Sequence, residues 1–446
     1  MKSVQSKRLL IVATTITLYL TAACADSNNG DVVDSGTAPQ VEPSTTLAVS
    51  TAAITTTTQS EATEAGNQSG STPLPTTAGH SSPTPNAARP SNDAPEAAQP
   101  PMTSVELAGR EIQLPEGLTI SVFAEDLGEP RFMAFDDEGV LYVADRSGGR
   151  IVRLPDENGD GVADSAFAVL HNLNNPHSLA FQDGYLYVAE TNQVVRTRDA
   201  DSDGTLDAPE PIIENLPTGG HWSRTIAFGP DGMLYLSVGS SCNVCEEEEE
   251  LRATISRYNP DGTGGEIIAT GLRNAVGLAF SPSGDLYSTN NGRDMLGDDL
   301  PPENIYRIEA GVDYGWPRCH SGDIVDPEFG SEGACDGVGQ PVVKLQAHSA
   351  PLGLTFASGD LLAPYEGDML VAFHGSWNRT EPTGYKVVRV LFEDGQPTGE
   401  SVDFITGWLT DDGEFWGRPV DVLVAPDGSL LISDDASGRI YRVSGS

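Results

Sequence analysis

Short runs of alternating apolar and polar residues recur along the chain from about residue 113, in pairs that flank a tight turn. Six copies align: RFMAFDDEGVLYVAD, HSLAFQDGYLYVAE, RTIAFGPDGMLYLSV, VGLAFSPSGDLYSTN, LGLTFASG with DMLVAFH further on, and VDVLVAPDGSLLISDD. Their aligned positions are Phe135, Phe181, Phe228, Phe280, Phe356 and Val424, spaced 46, 47, 52, 76 and 68 residues apart. Repeats of this length, with no amphipathic helix between them, are typical of propeller blades.

Each repeat continues into two further predicted strands. A third strand follows in runs such as RIVRL, VVRT, NIYRI, KVVRV and RIYRV, and a fourth in FAVLHNL and EPIIENL. The C-terminal repeat stops after its third strand, and the opening run GLTISVFAEDL can supply the missing fourth. The sequence therefore predicts an all-β fold: one six-bladed β-propeller of four-stranded antiparallel blades over residues 113–446.

The N-terminal region reads as an export signal followed by a tether. Lys2, Lys7 and Arg8 precede an apolar run at residues 9–23 that is too short to span a membrane permanently. The sequence TAAC ending at Cys24 predicts a lipoprotein-type signal peptide at residues 1–23 and lipidation of Cys24, with ordinary secretion as the alternative. Residues 24–112 are rich in Ser, Thr, Pro and Ala and are predicted to be a disordered linker.

Charge and cysteine content agree with an extracytoplasmic protein of the cell envelope. The formal net charge of -40 argues against a nucleic-acid partner, and against membrane contact other than through a lipid anchor. Four cysteines lie in two close pairs, which predicts disulfides between Cys242 and Cys245 and between Cys319 and Cys335. A metal knuckle or redox motif at CNVC would need a second ligand pair or a βαβ context, and the sequence shows neither.

Propeller topology predicts that two sets of loops meet at one mouth of the ring. The loops that enter the inner strands carry Arg131, His177, His221, Arg273, Asn274, His348 and Arg418. The loops between second and third strands carry Asp145, Asn192, Ser240 and residues 290–294 and 374–379. A mouth rich in Arg and His, in so acidic a chain, predicts a polyanionic ligand. The alternative for any single histidine is an ordinary surface residue.

Two acidic loops are predicted to bind calcium at the opposite face. They place oxygen ligands at positions 1, 3, 5 and 9 around a glycine, and the second adds an acid at position 12. The ligands would be Asp156, Asn158, Asp160 and Asp164 in the first loop, and Asp199, Asp201, Asp203, Asp207 and Glu210 in the second. Because both loops join a third strand to a fourth, they are not EF-hands, and a merely acidic hairpin is the alternative.

Five ordered motifs resemble the soluble quinoprotein sugar dehydrogenases, with the sorbosone dehydrogenase branch nearest. They are HWSRTIAFGPDGMLYLSVGSSCNVCEE, GLRNAVGLAF, NNGRDMLGDDLPPENIYRI, DYGWPRC and RPVDVLVAPDG. The resemblance implies a six-bladed propeller that uses pyrroloquinoline quinone (PQQ) and Ca²⁺ to oxidise an aldose or sugar aldehyde. A six-bladed lactonase and a non-catalytic binding propeller are the alternatives. The chain has no haem-attachment CxxCH motif, so electrons are expected to leave to a separate acceptor.

The resemblance also implies residue roles. His221 matches the family's general base, and Arg273 matches the arginine beside the reactive quinone oxygen. Gly292 and Arg293 match the positions whose backbone carbonyls bind the active-site calcium. The implied cofactor contacts are Arg131, Asn274, Asn290, Asn291, Arg293, Trp377, Arg379 and Arg418. Two departures stand out, since the glucose dehydrogenases carry an Asp near Ser240 and a Pro at the position of Arg293.

Overall fold

The computed structural model describes residues 99–446. Three strands precede the repeats. They are β1 (Met102–Leu107), β2 (Arg110–Pro115) and β3 (Leu118–Ala124). Strands β1 and β2 form a separate two-stranded sheet. The signal peptide predicted at residues 1–23, Cys24 and the linker up to residue 98 lie outside the described residues.

Six antiparallel sheets then follow one another along the chain. Blade 1 is β4 (Pro130–Phe135), β5 (Leu141–Asp145), β6 (Arg150–Leu154) and β7 (Phe167–Leu170). Blade 2 is β8 (Ser178–Gln182), β9 (Tyr185–Glu190), β10 (Gln193–Thr197) and β11 (Glu210–Ile213). Blade 3 is β12 (Arg224–Phe228), β13 (Leu234–Val238), β14 (Thr254–Tyr258) and β15 (Glu266–Thr270).

The later blades carry insertions that lengthen the repeat. Blade 4 is β16 (Ala275–Phe280), β17 (Leu286–Asn290), β18 (Glu303–Arg307) and, after the insertion β19 (Val312–Asp313), β20 (Cys319–His320) and β21 (Ile324–Val325), the outer strand β22 (Val343–Leu345). Blade 5 is β23 (Pro351–Phe356), a 3₁₀ helix (Asp360–Tyr365), β24 (Met369–Phe373), β25 (Lys386–Glu393) and β26 (Gln396–Ile405). Blade 6 is β27 (Pro419–Val424), β28 (Leu430–Asp434) and β29 (Arg439–Gly445).

The ring closes as the sequence predicts. Strand β3 pairs antiparallel with β29, with Ile120 opposite Val443, and so becomes the fourth strand of blade 6. The all-β six-bladed propeller is thereby confirmed. This closure ties the first strand after the hairpin to the last strand of the chain, so blades 1 and 6 become neighbours.

The first strand begins at Met102, before the predicted linker boundary at residue 112. The hairpin of β1 and β2 occupies the last residues of that linker and buries Leu107, Ile112 and Leu114 against blades 5 and 6. The backbones of Gln113 and Thr406 also exchange two hydrogen bonds of 2.9 Å. Composition alone missed the hairpin because few apolar residues suffice when they pack on an existing core.

Neighbouring blades are held in register by hydroxyl groups on the strands around the channel. Ser178 Oγ donates to the Arg224 carbonyl of the next blade at 3.1 Å, and Thr289 Oγ1 donates to the Leu352 carbonyl at 2.8 Å. Inside this ring, Phe132, Val276, Leu352 and Val420 pack together as a small apolar cluster. The mouth loops are therefore mounted on strands whose relative positions are fixed.

No helix within residues 99–446 is long and apolar enough to cross a bilayer. Each blade packs between its two neighbours, and second strands such as β5, β13 and β28 are buried along their whole length. Successive side chains of a strand point to opposite faces, and in these strands both faces are covered.

Candidate functional site

One repeat position supplies a residue to the mouth from every blade. The residue directly after each second strand is Arg146, Thr191, Gly239, Asn291, His374 or Asp435. His177, Asn274 and Arg418 stand directly before the inner strands of their blades, whereas Arg131 is the second residue of β4. The predicted convergence of loops therefore places residues distant in sequence around one opening.

A buried carboxylate, Asp435, joins three basic side chains across blades 1, 5 and 6. Arg418 Nε lies 2.7 Å from Asp435 Oδ1, His374 Nε2 lies 3.1 Å away, and Arg131 forms a buried ion pair with Oδ2. Burial alone would raise the pKa of Asp435, but His374, Arg131 and Arg418 together hold it below its usual range. One carboxylate thus brings two guanidinium groups and an imidazole from three blades to one place.

Trp222 lies against the cationic groups of the neighbouring blades. The Arg146 guanidinium is 4.4 Å from the Trp222 ring centroid and that of Arg131 is 5.3 Å away, distances that allow cation–π attraction. The His177 ring meets Trp222 edge to face at 5.4 Å. Burial lowers the pKa of His177 well below its ordinary value, so this imidazole is neutral at pH 7.

His221 is held by Ser240 through one ring nitrogen. Nδ1 lies 3.0 Å from both the carbonyl oxygen and the hydroxyl of Ser240. The Ser240 hydroxyl donates its own hydrogen to the Cys242 carbonyl at 2.7 Å, so it can only accept from the ring. Both contacts thus require hydrogen on Nδ1, which leaves the lone pair on Nε2. Burial, with Arg273 nearby, lowers the pKa of His221 to about 3.

Glycines allow this close approach of the two loops. A Cβ on Gly220 would lie 2.4 Å from the backbone oxygen of Ser241, and Gly220 has a φ of +60°. A Cβ on Gly239 would lie 2.7 Å from the Cβ of His221. Of the glycine pair before His221, Gly220 therefore has a steric reason, whereas a Cβ on Gly219 would meet no atom within 4 Å and this residue is favoured by its φ of +87° alone.

Arg273 is buried and fully engaged beside the base. Its Nη2 donates to Asp294 at 2.7 Å and to Asn243 Oδ1 at 3.0 Å, while Nε donates to the Asn243 carbonyl at 2.9 Å. Asn378 Nδ2 donates to the other oxygen of Asp294 at 2.8 Å and lies 3.3 Å from His348 Nδ1. The guanidinium is consequently fixed in one orientation by partners from two loops, and Asn378 of a third loop holds Asp294.

A small pocket is lined by Arg273 together with the predicted calcium carbonyl residues, Gly292 and Arg293. Asn304 also lines it, and its buried Oδ1 has no hydrogen-bond partner within the described chain. The buried Glu303 carboxylate accepts a hydrogen bond from the Gly292 amide, and burial raises its pKa to about 7. Carbonyl, amide and carboxylate oxygens are the donors that Ca²⁺ prefers, so this sector suits the ion.

Some predicted cofactor ligands have other partners in the structure. The Arg293 guanidinium forms a buried ion pair with Asp326 and also bonds Glu328 at 2.6 Å. Its side chain is therefore not free to bind the cofactor. Arg379 contacts the Asp298 carbonyl and, at 3.3 Å, the Asp299 carboxylate. Trp377 is 69% exposed.

The asparagines predicted at the mouth form a connected set. Asn290 Oδ1 accepts a hydrogen bond from the backbone amide of Asn274 at 3.1 Å, and the side-chain Nδ2 of Asn274 donates to Asn291 Oδ1 at 3.3 Å. Asn291 in turn donates to the Pro351 carbonyl of blade 5 at 2.8 Å. Within residues 99–446, four buried mouth atoms lack a hydrogen-bond partner, which are Arg146 Nε, His177 Nε2, Asn274 Oδ1 and Asn378 Oδ1.

The two acidic loops lie between third and fourth strands, away from the mouth. Asp156 and Asp199 each accept hydrogen bonds from the backbone amides at loop positions 5 and 6. Carboxylate oxygens of Asp199, Asp201 and Asp203 all lie within 4.8 Å of one another. Glu210, predicted as a further ligand, instead accepts from Arg196 at 2.7 Å, because it already belongs to β11.

Sequence reasoning missed Asp435, Arg146, Asn243 and Glu303. Asp435 and Arg146 share the repeat position of Asn291 and His374, so the alignment of repeats contained the signal for them. Asn243 lies inside the predicted disulfide loop, and Glu303 begins a buried strand, so neither position had a repeat-based signal. Both predicted disulfide pairs are bonded in the structure.

Comparisons with known proteins support the resemblance stated above. The family model described as "Domain of unknown function (DUF7133)" matches residues 104–437. An uncharacterized protein of Borreliella burgdorferi is 28% identical over 364 residues, covering 77% of this chain and 94% of the relative. The PQQ-dependent pyranose dehydrogenase of Coprinopsis cinerea is 25% identical over 408 residues, covering 75% of this chain but only 55% of the relative.

A solved structure shares the fold. The calcium structure of a Trichoderma reesei protein of carbohydrate-active enzyme family AA12 superposes with a TM-score of 0.67 at 22% identity, covering 77% of this chain and 99% of that one. The resemblance to PQQ-dependent sugar dehydrogenases is confirmed by these relatives, which do not single out the sorbosone branch.

Proposed function

Because the chain belongs to the DUF7133 family and has a PQQ-dependent dehydrogenase among its relatives, we propose that it is a PQQ- and calcium-dependent sugar dehydrogenase. Its substrate would be an aldose or sugar aldehyde, oxidised at the anomeric carbon. One observation carries the proposal: His221 stands near the buried cation of Arg273. Its Nδ1 is held by Ser240, which leaves the Nε2 lone pair to accept a proton.

The mouth residues fit a planar tricarboxylate such as PQQ. Arg131 and Arg418 both contact the carboxylate of Asp435, and Arg146 adds a third guanidinium beside Trp222. Guanidinium groups bind carboxylates through paired, charge-assisted hydrogen bonds. The unpartnered buried atoms of Arg146, His177 and Asn274 are polar groups that a bound ligand would satisfy. These residues would hold the cofactor.

Calcium would be held in the sector of Gly292 and Arg293. Their backbone carbonyls, the amide oxygen of Asn304 and the carboxyl oxygens of Glu303 offer the hard oxygen ligands that the ion requires. The two acidic loops on the other face would bind calcium in a structural role, with Asp199, Asp201 and Asp203 as the tightest cluster.

In the proposed mechanism, His221 accepts the proton of the substrate's anomeric hydroxyl at Nε2. Its low pKa keeps the imidazole unprotonated at neutral pH, and negative charge brought by a bound cofactor would raise that pKa toward the working range. When bound, the quinone supplies the acceptor for the hydride. Arg273 presents a fixed positive charge where negative charge develops, and its bonds to Asp294 and Asn243 prevent it from turning away.

The proposal includes a cell-envelope location, with a lipid anchor at Cys24 and a separate electron acceptor. It is supported by the signal-peptide pattern and by the composition of the linker. A sugar would bind at the open mouth, where the exposed ring of Trp377 offers a face for stacking.

Reconstitution tests the proposed function. Purified full-length chain would be mixed with Ca²⁺ and PQQ, and reduction of an artificial dye would be followed with a panel of aldoses. We expect dye reduction that requires both additions. Tight cofactor binding without any oxidation would contradict the substrate class, hydrolysis of lactones would favour the lactonase, and absence of cofactor binding would favour a binding propeller.

A further inference from the structure

The disulfide loop Cys242–Cys245 contacts Arg273 directly and is linked to His221 through Ser240. Its first carbonyl, at Cys242, accepts the hydroxyl hydrogen of Ser240 at 2.7 Å. Its second residue, Asn243, binds Arg273 through both its carbonyl and its side chain. One short cross-linked segment therefore lies behind the base and the cation at once.

On the side of the base, the loop ensures that a lone pair of the Ser240 hydroxyl, and not its hydrogen, faces His221. The Ser240 hydroxyl has one hydrogen, and the Cys242 carbonyl takes it. The oxygen can then only accept from Nδ1, which adds to the acceptor already supplied by the Ser240 carbonyl. The backbone amide of Ser240 also donates to the Arg273 carbonyl at 2.8 Å, so the loops that carry Ser240 and Arg273 are tied together.

On the side of the cation, Asn243 holds a small network. Its Oδ1 accepts from Arg273 Nη2 at 3.0 Å and from the Asp294 amide at 2.8 Å, and its Nδ2 donates to the Asp294 carbonyl at 3.1 Å. Trp316 Nε1 donates to the Asn243 carbonyl at 3.3 Å, which braces the loop from the blade 4 insertion. Arg273 is thereby fixed from two directions.

We propose that Ser240 and Asn243 are positioning residues, and that the Cys242–Cys245 disulfide keeps them in place for His221 and Arg273. The inference rests on the proposed function. It explains how the base is oriented in a chain that has Ser240 where the glucose dehydrogenases have a nearby Asp. The cross-link restricts the backbone of the four-residue loop, so the carbonyls of Cys242 and Asn243 cannot turn from their donors.

The protonation of His221 gives a test that needs no cofactor. Full-length chain labelled with ¹⁵N in its histidine rings would be studied by long-range ¹H–¹⁵N NMR, with His221→Gln identifying the signal among the seven histidines. We expect hydrogen on Nδ1 in the unsubstituted protein. The double variant C242S/C245S should show a detectable Nε2–H form, and so should Ser240→Ala, because loss of one acceptor weakens the preference by up to about tenfold.

The variant C319S/C335S is the matched control, since it removes the other disulfide and should keep the Nδ1–H signal. Hydrogen on Nε2 in the unsubstituted protein would overturn the proposal. An unchanged signal in C242S/C245S would overturn the role of the disulfide, and an unchanged signal in Ser240→Ala would overturn that of the hydroxyl. If C242S/C245S does not fold, Ser240→Ala alone decides the Ser240 half.

Kinetics of the reconstituted enzyme test the Asn243 half. Asn243→Ala should lower kcat about tenfold, the effect of roughly one hydrogen bond, with KM and the cofactor Kd within about twofold of the original. Asn259→Ala, in the β14–β15 turn of the same blade, is the control for an asparagine away from the mouth. Unchanged kcat in Asn243→Ala overturns its positioning role, whereas an inactive unsubstituted enzyme contradicts the proposed function and leaves the NMR result to judge Ser240.

Discussion

The guanidinium of Arg418 lies 2.7 Å from the carboxylate of Asp435, its neighbour across the two mouth loops of blade 6. Arg131 and His374 contact the same carboxylate from blades 1 and 5. Asp435 is therefore the counterion of a whole sector rather than the partner of one arginine. The two guanidinium groups that meet at this carboxylate belong to the sector that we propose for the carboxylates of the cofactor.

Arg418→Ala should weaken PQQ binding by about tenfold or more, the usual effect of losing a charge-assisted hydrogen bond to a carboxylate. Turnover of fully loaded enzyme should change much less. The Kd would be measured by fluorescence titration in the presence of Ca²⁺. Arg439→Ala, which removes a partly exposed arginine paired with Glu125, is the control and should keep the original Kd. Equal affinities in both variants would remove Arg418 from the cofactor site.

His221→Ala should lower turnover by roughly a hundredfold or more, as expected for loss of a general base. Cofactor affinity should stay the same, because the arginines predicted to bind the carboxylates of the cofactor lie in other blades. Single-turnover rates of cofactor-loaded protein would be compared with those of His171→Ala, which removes an exposed histidine. Preserved turnover per loaded molecule in His221→Ala would refute the assignment of the base.

Asp421→Asn should stabilise the protein more at pH 8 than at pH 5. Burial raises the pKa of Asp421 to about 7, so its contribution to stability is full below the unfolded-state pKa of 3.8 and is lost as the pH rises through 7. The amide can still accept the hydrogen bond from the Met133 amide. We expect the gain in Tm at pH 8 to exceed that at pH 5 by at least about 2 °C.

Asp326→Asn is the control for the Tm measurements at pH 5 and pH 8, because the pKa of Asp326 is lowered whereas that of Asp421 is raised. Burial would raise the pKa of Asp326, but His320, Arg293 and two backbone amides outweigh it and lower the pKa to about 2. Its charge is thus stabilising throughout this range, and the substitution should lower Tm at both pH values. A pH-independent effect of Asp421→Asn would show that this carboxyl does not titrate between pH 5 and 8.

The acidic loops should contribute calcium-dependent stability. Replacing Asp160 and Asp203 together by Ala should reduce the difference between the Tm values measured with Ca²⁺ and with a chelator by roughly 2 °C or more. Asp261→Ala is the control, because it lies in the corresponding turn of blade 3, which lacks the ligand spacing. Identical melting with and without chelator in the unsubstituted chain would rule out structural calcium in these loops.

Repeats in the sequence were enough to predict the blades and the closure of the ring. Period-2 alternation reports burial on one side of a strand, and this property is local. The C-terminal repeat lacked a fourth strand and the opening segment lacked a partner, so only their pairing completes both. The same repeat assigned Arg418 and His177 to the mouth, because loops at equal positions of a propeller blade emerge on the same face.

Hydrogen-bond partners could not be predicted in the same way. Arg131 and Asp435 are 304 residues apart in sequence and meet only because the ring closes. Arg293 was expected to bind the cofactor, yet its side chain turns to Asp326, in an insertion that has no counterpart in the other repeats. The orientation of His221 depends on the Ser240 hydroxyl, whose single hydrogen is taken by the Cys242 carbonyl.

The sequence by itself therefore determined the number of blades, their order and which loops form the mouth, since these follow from local alternation and from the repeat. Only the tertiary structure decided which atoms meet there, because ion pairs and hydrogen bonds depend on ångström-scale distances between loops of different blades. Asn243 shows the difference most clearly: nothing in its local sequence marks it, and its contact with Arg273 exists only once blades 3 and 4 are packed together.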